Sequence, residues 1–306
     1  MNKDRRKARE CRAKSNVKSD LLRVGAIDPC RLECYATKTR DNPSLEVYRD
    51  IISKVIFIDD FYVGNQEYVA GEYRAASKLP AGVGSPDYED LIDSERRFNK
   101  YRQLFVGKSI CDFGCGGGGF LKKASSVSVS ACGIELQQQY SDALNAFGIP
   151  CYSSLSDIPE SLDVITLFHC FEHLPNPIAG LEELFKKLKP GGDGAILIEV
   201  PHARDFLIEY LSLHSFIEFT LWSQHLILHT RESLGSMLAA AGFKDIVIEG
   251  VQRYGLANHL HWLSRKKPGG HKSNLSVFET VDLMNAYAGA LAKIDATDTL
   301  VAIAKT

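Results

Sequence analysis

"ICDFGCGGGGF" occupies residues 110–120. Five of the six positions from 114 to 119 are glycine, interrupted by Cys115. That is more backbone freedom than a turn requires. Glycine admits positive φ and lets a ligand approach the main chain, so such a run after an apolar strand reads as a binding loop. "GGFLKKASS" then opens a helix, whose first amides favour anionic or hydrogen-bond-accepting groups.

Downstream the pattern alternates between strand and helix. "VSVSACGIE", "IPCYSS", "LDVITLFHC", "GAILIEVP", "KDIVIEGV" and "DTLVAIAK" read as strands after the first, "KSICDFG". Helical stretches lie between them, including "PIAGLEELFKKLKPGG", closed by Pro190, Gly191 and Gly192. Several strands are continuously apolar, as in a mainly parallel sheet covered on both faces. The expected fold is α/β, a doubly wound, mainly parallel, seven-stranded Rossmann-like sheet.

Upstream, residues 1–25 are basic and polar and read as a disordered tail. Residues 26–88 read as a small extension and connector, with one strand signal, "KVIFID", at 54–59. The main domain is expected over 89–306, with an insertion at 252–297 before the last strand.

The 306 residues are 45% hydrophobic and 24% charged, with a net charge of −2, so no global charge argues for a nucleic-acid partner or an anionic membrane. No apolar stretch is long enough to span a bilayer, and no signal peptide is evident. Eight cysteines are present, several within apolar runs where a free thiol acts as a small hydrophobe. Cys30 and Cys34 make one CxxxC with no second pair, so no metal site is expected there. A reducing, cytoplasmic setting is the expectation.

Gly114-x-Gly116-x-x-Gly119 satisfies the dinucleotide fingerprint, and Glu135 follows 23 residues after Asp112. That pattern alone leaves a nicotinamide dehydrogenase, a flavoprotein and a methyltransferase open. Three details decide among them. Asp112 puts a carboxylate at the strand end, which a cationic ligand welcomes and a pyrophosphate does not. "FHCFEHLPNP" at 168–177 ends the fourth strand, and "LKPGGDGAILIEVP" at 188–201 carries a helix stop into the fifth.

Together these motifs, over residues 106–251, resemble the class I S-adenosylmethionine-dependent methyltransferases. The resemblance implies S-adenosyl-L-methionine as cofactor. It puts Asp112, Gly114 and Gly116 around the methionyl part, Glu135 on the ribose hydroxyls and Leu136 against the adenine. Phe168 and His169 would line the sulfonium region, with Ser154 and Leu155 as candidates at the adenine edge. Residues 221–234, 252–271 and 39–59 look like a bacterial branch linked to sugar-nucleotide or surface-polysaccharide methylation.

If "KDIVIEGV" is a parallel strand, the insertion begins at the ligand-binding edge of the sheet. Arg253, Tyr254, Asn258 and His259 then become candidate substrate residues, with aromatic and hydrogen-bonding groups suited to a polar ring. Methyl transfer to oxygen wants a base near neutrality, which favours histidine. His173 and His225 are the candidates, His225 preferred. His229, four residues on, could share a helical face with His225; the pair could also bind a metal, but no clear third ligand is evident, so no metal is expected and His229 is assigned to substrate. The expected partner is a small molecule, a sugar nucleotide first. A quinone or phenol O-methyltransferase and a non-catalytic cofactor-binding subunit are the rivals.

Overall fold

The computed structural model describes residues 14–71 and 86–306. Residues 1–13 of the basic tail and 72–85 of the connector lie outside the described residues.

Seven strands form the main sheet. They are β4 (Ser109–Phe113), β5 (Ser130–Ile134), β6 (Cys151–Tyr152), β7 (Val164–Phe168), β8 (Ala195–Pro201), β10 (Lys244–Val251) and β11 (Thr299–Lys305). Their order is β10-β11-β8-β7-β4-β5-β6. β6, β5, β4, β7 and β8 pair in parallel, while β11 runs antiparallel between β8 and β10. β10 therefore points the same way as the parallel set, and the chain after Val251 leaves at the carboxyl edge as expected. The order reverses between β4 and β7, so that edge is the switch point where doubly wound sheets take ligands.

The apolar strands behave as buried parallel strands must. Ile110, Cys111, Ile165, Leu167, Ile196, Leu197 and Ile198 are essentially inaccessible. Each fully buried aliphatic side chain of this kind contributes ~1.5–3 kcal/mol. β10 lies at the edge and is half exposed, which explains its mixed sequence.

The helices, in chain order, are α1 (Val17–Arg23), α2 (Asn65–Ala70), α3 (Pro86–Phe105), α4 (Gly119–Ala124), α5 (Gln138–Ala146), α6 (Pro177–Lys187), α7 (Phe206–Glu209), α8 (His214–Thr220), α9 (Arg231–Ala240), α10 (Leu256–Arg265) and α11 (Val281–Lys293). Three expectations change here. α1 lies inside the stretch read as a disordered tail, anchored by buried Val17 and Leu21. α3 begins at Pro86, inside the stretch read as a connector. The extension is also not self-contained. Its strands β1 (Leu32–Ala36), β2 (Val47–Asp50) and β3 (Ile56–Phe57) take a fourth, β9 (Ile227–Leu228), from beyond β8. Ile56 faces Leu228 and Phe57 faces Ile227, antiparallel. Val17, Leu21, Ile56 and Phe57 then share one core with Phe171, Ile178 and Ile227. Among the described residues no helix is long and apolar enough to cross a membrane.

Candidate active site

β4 delivers Asp112 to the carboxyl edge, where it is almost wholly buried beside β7. Thr166 Oγ1 donates to its Oδ1 at 2.7 Å. Burial pushes the carboxyl up to about 7, against the pull of the Thr166 hydrogen bond and of Arg97. Glu135, just past β5, accepts the Gly116 N–H on Oε2 and the Gln137 N–H on Oε1, each at 2.9 Å. The loop thus runs between two carboxylates.

The protein itself demands some of the glycines. A Cβ on Gly114, whose φ is +78°, would sit 2.6 Å from Cys170 Sγ. A Cβ on Gly118 would reach 2.2 Å from Leu144. Gly117 is different, meeting nothing closer than the Tyr140 ring at 3.8 Å. Close packing by the chain's own side chains therefore accounts for part of the run that the sequence assigned to a ligand.

β7 ends in Phe168, whose ring meets Phe120 edge-on at 4.8 Å and lies under the Arg97 guanidinium at 4.5 Å. His169 follows with φ +50° and sits among charges. Its Nδ1 is 3.3 Å from Glu172 Oε1, and its Nε2 is 2.9 Å from Arg253 Nη1 and 3.3 Å from Glu199 Oε1. Burial and Arg253 pull its pKa down, but hydrogen bonds to the two carboxylates outweigh them and raise it.

A charged lattice the sequence reading missed surrounds His169. Glu199, wholly buried on β8, takes Arg97 through Nη2 at 2.6 Å and Arg96 through Nη2 at 2.8 Å. Asp93 on α3 takes Arg253 in a two-pronged ion pair. Burial alone would raise the Asp93 carboxyl, yet Arg253, Arg97 and Arg96 hold it far below the usual range. α3 is thereby bound to β8 and to the start of the insertion. The signal was present in "AILIEVP", where a lone acid inside an apolar strand requires buried cations.

The loop after β7 gathers a second cluster. Glu172 is fully buried. Burial alone would raise its pKa, but the His169 hydrogen bond and the neighbouring imidazoles hold it at about 2. His173 stands 3.4 Å from the Tyr68 hydroxyl and 5.2 Å, ring to ring, from His225. His225 also meets Trp222 at 5.2 Å, and burial drops its pKa to about 3. An imidazole of that pKa is neutral but a weak base, which counts against His225 acting alone.

His229 does not share a helical face with His225, because the residues between them pair with β3 as a strand. Its ring is sealed against Phe171 at 5.3 Å, with Nδ1 3.1 Å from Ser233 Oγ, so as placed it is closed to an acceptor. Asn258 is buried inside the insertion, where its Oδ1 accepts the Gly269 and Gly270 N–H groups. His259 packs on Phe206 and bonds the Tyr287 hydroxyl at 2.8 Å, with its pKa lowered by burial to about 4. Both side chains are thus taken up by partners within the protein. Arg253 does reach the edge, but as a partner of Asp93 and His169. The Tyr254 N–H is held by Asp298, and its ring lies beside Arg253 at 5.3 Å.

Leu136 is exposed beside Glu135, and Leu155 lines an apolar cavity with Phe113 and Leu174. Ser154 caps the short turn 155–157 through the Ser156 N–H. Asp112, Glu135, the glycine backbone, Leu136, Leu155 and Phe168 thus line one edge. The donor set fits a nucleoside carrying a cationic amino-acid tail: buried acids for the cation and hydroxyls, apolar surface for the base.

A family model described as "Methyltransferase domain" matches residues 88–248. A ubiquinone biosynthesis O-methyltransferase of Pseudomonas fluorescens is 27% identical over 102 residues, 30% of this chain and 44% of its own length. One from Idiomarina loihiensis is 26% identical over 160 residues, 47% of this chain and 65% of its own length. The chain thus spans less than two thirds of the length of either relative. A SAM dependent methyltransferase from Archaeoglobus fulgidus superposes with a TM-score of 0.48 at 21% identity, covering 71% of this chain and 94% of that one.

Proposed function

Because the chain belongs to the methyltransferase domain family, whose cofactor is S-adenosyl-L-methionine, we propose that it transfers a methyl group to a hydroxyl of a small ring-bearing acceptor. The observation that carries this is the pair of buried carboxylates, Asp112 and Glu135, flanking the loop at the switch point.

In this reading the cofactor supplies an electrophilic methyl group on a sulfonium. Asp112 receives the tail's ammonium, and the backbone of Gly114 and Gly116 lets the tail pass. Glu135, whose carboxylate oxygens can each accept more than one hydrogen bond, takes the ribose hydroxyls. Leu136 and Leu155 cover the adenine, with Ser154 at its edge, and Phe168 with His169 walls the sulfonium. The acceptor hydroxyl is met by the Glu172–His173–His225 cluster, and holding it in line with the methyl supplies much of the rate.

The rings of Tyr68, Trp222, His173 and His225 face one another around that cluster. Arg253, a cation that a phosphate would need, is already paired with Asp93. Both features favour a phenol-like hydroxyl, the class suggested by the names of the curated relatives. A nucleotide-linked sugar is the second reading, favoured by Arg40, whose guanidinium lies 4.5 Å over Trp222 at the rim.

Calorimetry with S-adenosylhomocysteine tests the reading. Binding should weaken at least about tenfold in Glu135→Ala, the loss expected when two hydroxyl hydrogen bonds to a charged group go. Absence of heat with the intact chain would refute it. Mass spectrometry of phenols and sugar nucleotides incubated with the cofactor then separates the two acceptors.

A further inference from the structure

We propose that Glu172, His173 and His225 form a binding site for one divalent zinc-class ion. One ligand atom from each residue lies within 4.8 Å of the others. The three come from two segments that the fold locks together, since the Leu226 N–H donates to the Glu172 carbonyl at 2.9 Å.

Two observations point to a missing ligand at this place. Glu172 Oε2 is buried with no hydrogen-bond partner, and so is His225 Nδ1. A buried carboxylate oxygen and a buried ring nitrogen left unpaired are each costly unless something occupies them. No lysine or arginine pairs with Glu172 among the described residues. The nearest polar neighbour, His169, engages the other oxygen, Oε1. Two imidazoles and one carboxylate form the donor set that zinc and neighbouring first-row ions take when further positions stay open.

The role, though not the site, rests on the proposed methyl transfer. Glu172 and His173 lie in the short turn Phe171–His173 after β7, whose end would face the sulfonium. An acceptor hydroxyl bound to the ion there would lose its proton to water more readily. Its oxygen then forms the new C–O bond while the C–S bond breaks, the electron pair staying on sulfur.

The site is tested by equilibrium dialysis of chelator-treated full chain against Zn²⁺. One ion per chain is expected, with affinity reduced at least tenfold in Glu172→Gln and in His225→Gln. Cys30→Ser/Cys34→Ser should bind as the parent does. No stoichiometric zinc, equal binding in both ligand variants, or loss only in the cysteine variant would each overturn the proposal. Should the ligand variants unfold, Co²⁺ absorption of the parent decides: a nitrogen–oxygen ligand-field spectrum supports the site, and thiolate charge transfer refutes it. Calorimetry with S-adenosylhomocysteine on the same metal-free protein keeps the two ideas apart, because cofactor binding without zinc binding sinks the site alone.

Discussion

Asp112→Asn should change cofactor affinity and apoprotein stability in opposite directions. Burial pushes the Asp112 carboxyl up to about 7. About one tenth of it is therefore ionised at pH 6 and about nine tenths at pH 8. Only the ionised form offers the cofactor's ammonium a full charge, so affinity for S-adenosylhomocysteine should rise about tenfold between those values, or ~1.4 kcal/mol. Stability runs the other way. An acid whose folded pKa is raised holds its proton in the native state after the unfolded chain has released it, so stability falls as pH rises from the ordinary 3.8 toward 7. The whole gap is worth at most ~4 kcal/mol. Asparagine keeps an oxygen for the Thr166 hydroxyl but cannot ionise. The variant should bind the nucleoside weakly at every pH between 6 and 8 and should gain stability over the parent as pH rises. Calorimetry at pH 6, 7 and 8, beside urea denaturation at the same values, reads both. A parent whose affinity is flat across this range, or a variant that gains no stability over the parent between pH 6 and pH 8, would overturn this account.

The glycine loop and the charged lattice yield two more expectations. Gly114→Ala should cost ~1–3 kcal/mol, because the new Cβ meets Cys170 Sγ at 2.6 Å and the backbone holds φ +78°; Gly117→Ala, with 3.8 Å of room, should stay within ~1 kcal/mol. Equal losses in urea denaturation would mean that ligand approach, not packing, explains Gly114. Arg253→Met should destabilise by ~1.5–3 kcal/mol, because Asp93 loses its two-pronged partner but keeps Arg96 at 3.1 Å, and adding Asp93→Asn should recover part of it; additive losses in the double variant would show that the pair is not coupled.

What could be read from the sequence follows from what local pattern encodes. Strands buried on both faces must be apolar throughout, so β4, β7 and β8 announce themselves, and a glycine run bounded by two acids marks the edge they share. His225 and His229 show where this stops. A spacing of four lies on one face of a helix, and it also lies on one face of a strand, because four is a multiple of two. The partner strand decides between them, and it is β3, whose Ile56 faces Leu228 across 172 positions of chain. The same holds for charge. Glu199 cannot stand in an apolar strand without cations, and that much is local. That the cations are Arg96 and Arg97, some hundred residues earlier, follows only once α3 lies across the sheet. His173 draws its meaning in the same way. In the sequence it is one histidine after a strand. In the fold it acquires Glu172 as a fixed neighbour and His225 from the segment that leads into β9, so its chemistry is set by the small sheet as much as by the glycine loop. The extension, which the sequence left as an appendage, thereby becomes the element that holds the segment carrying His225 in place, through the pairing of β3 with β9.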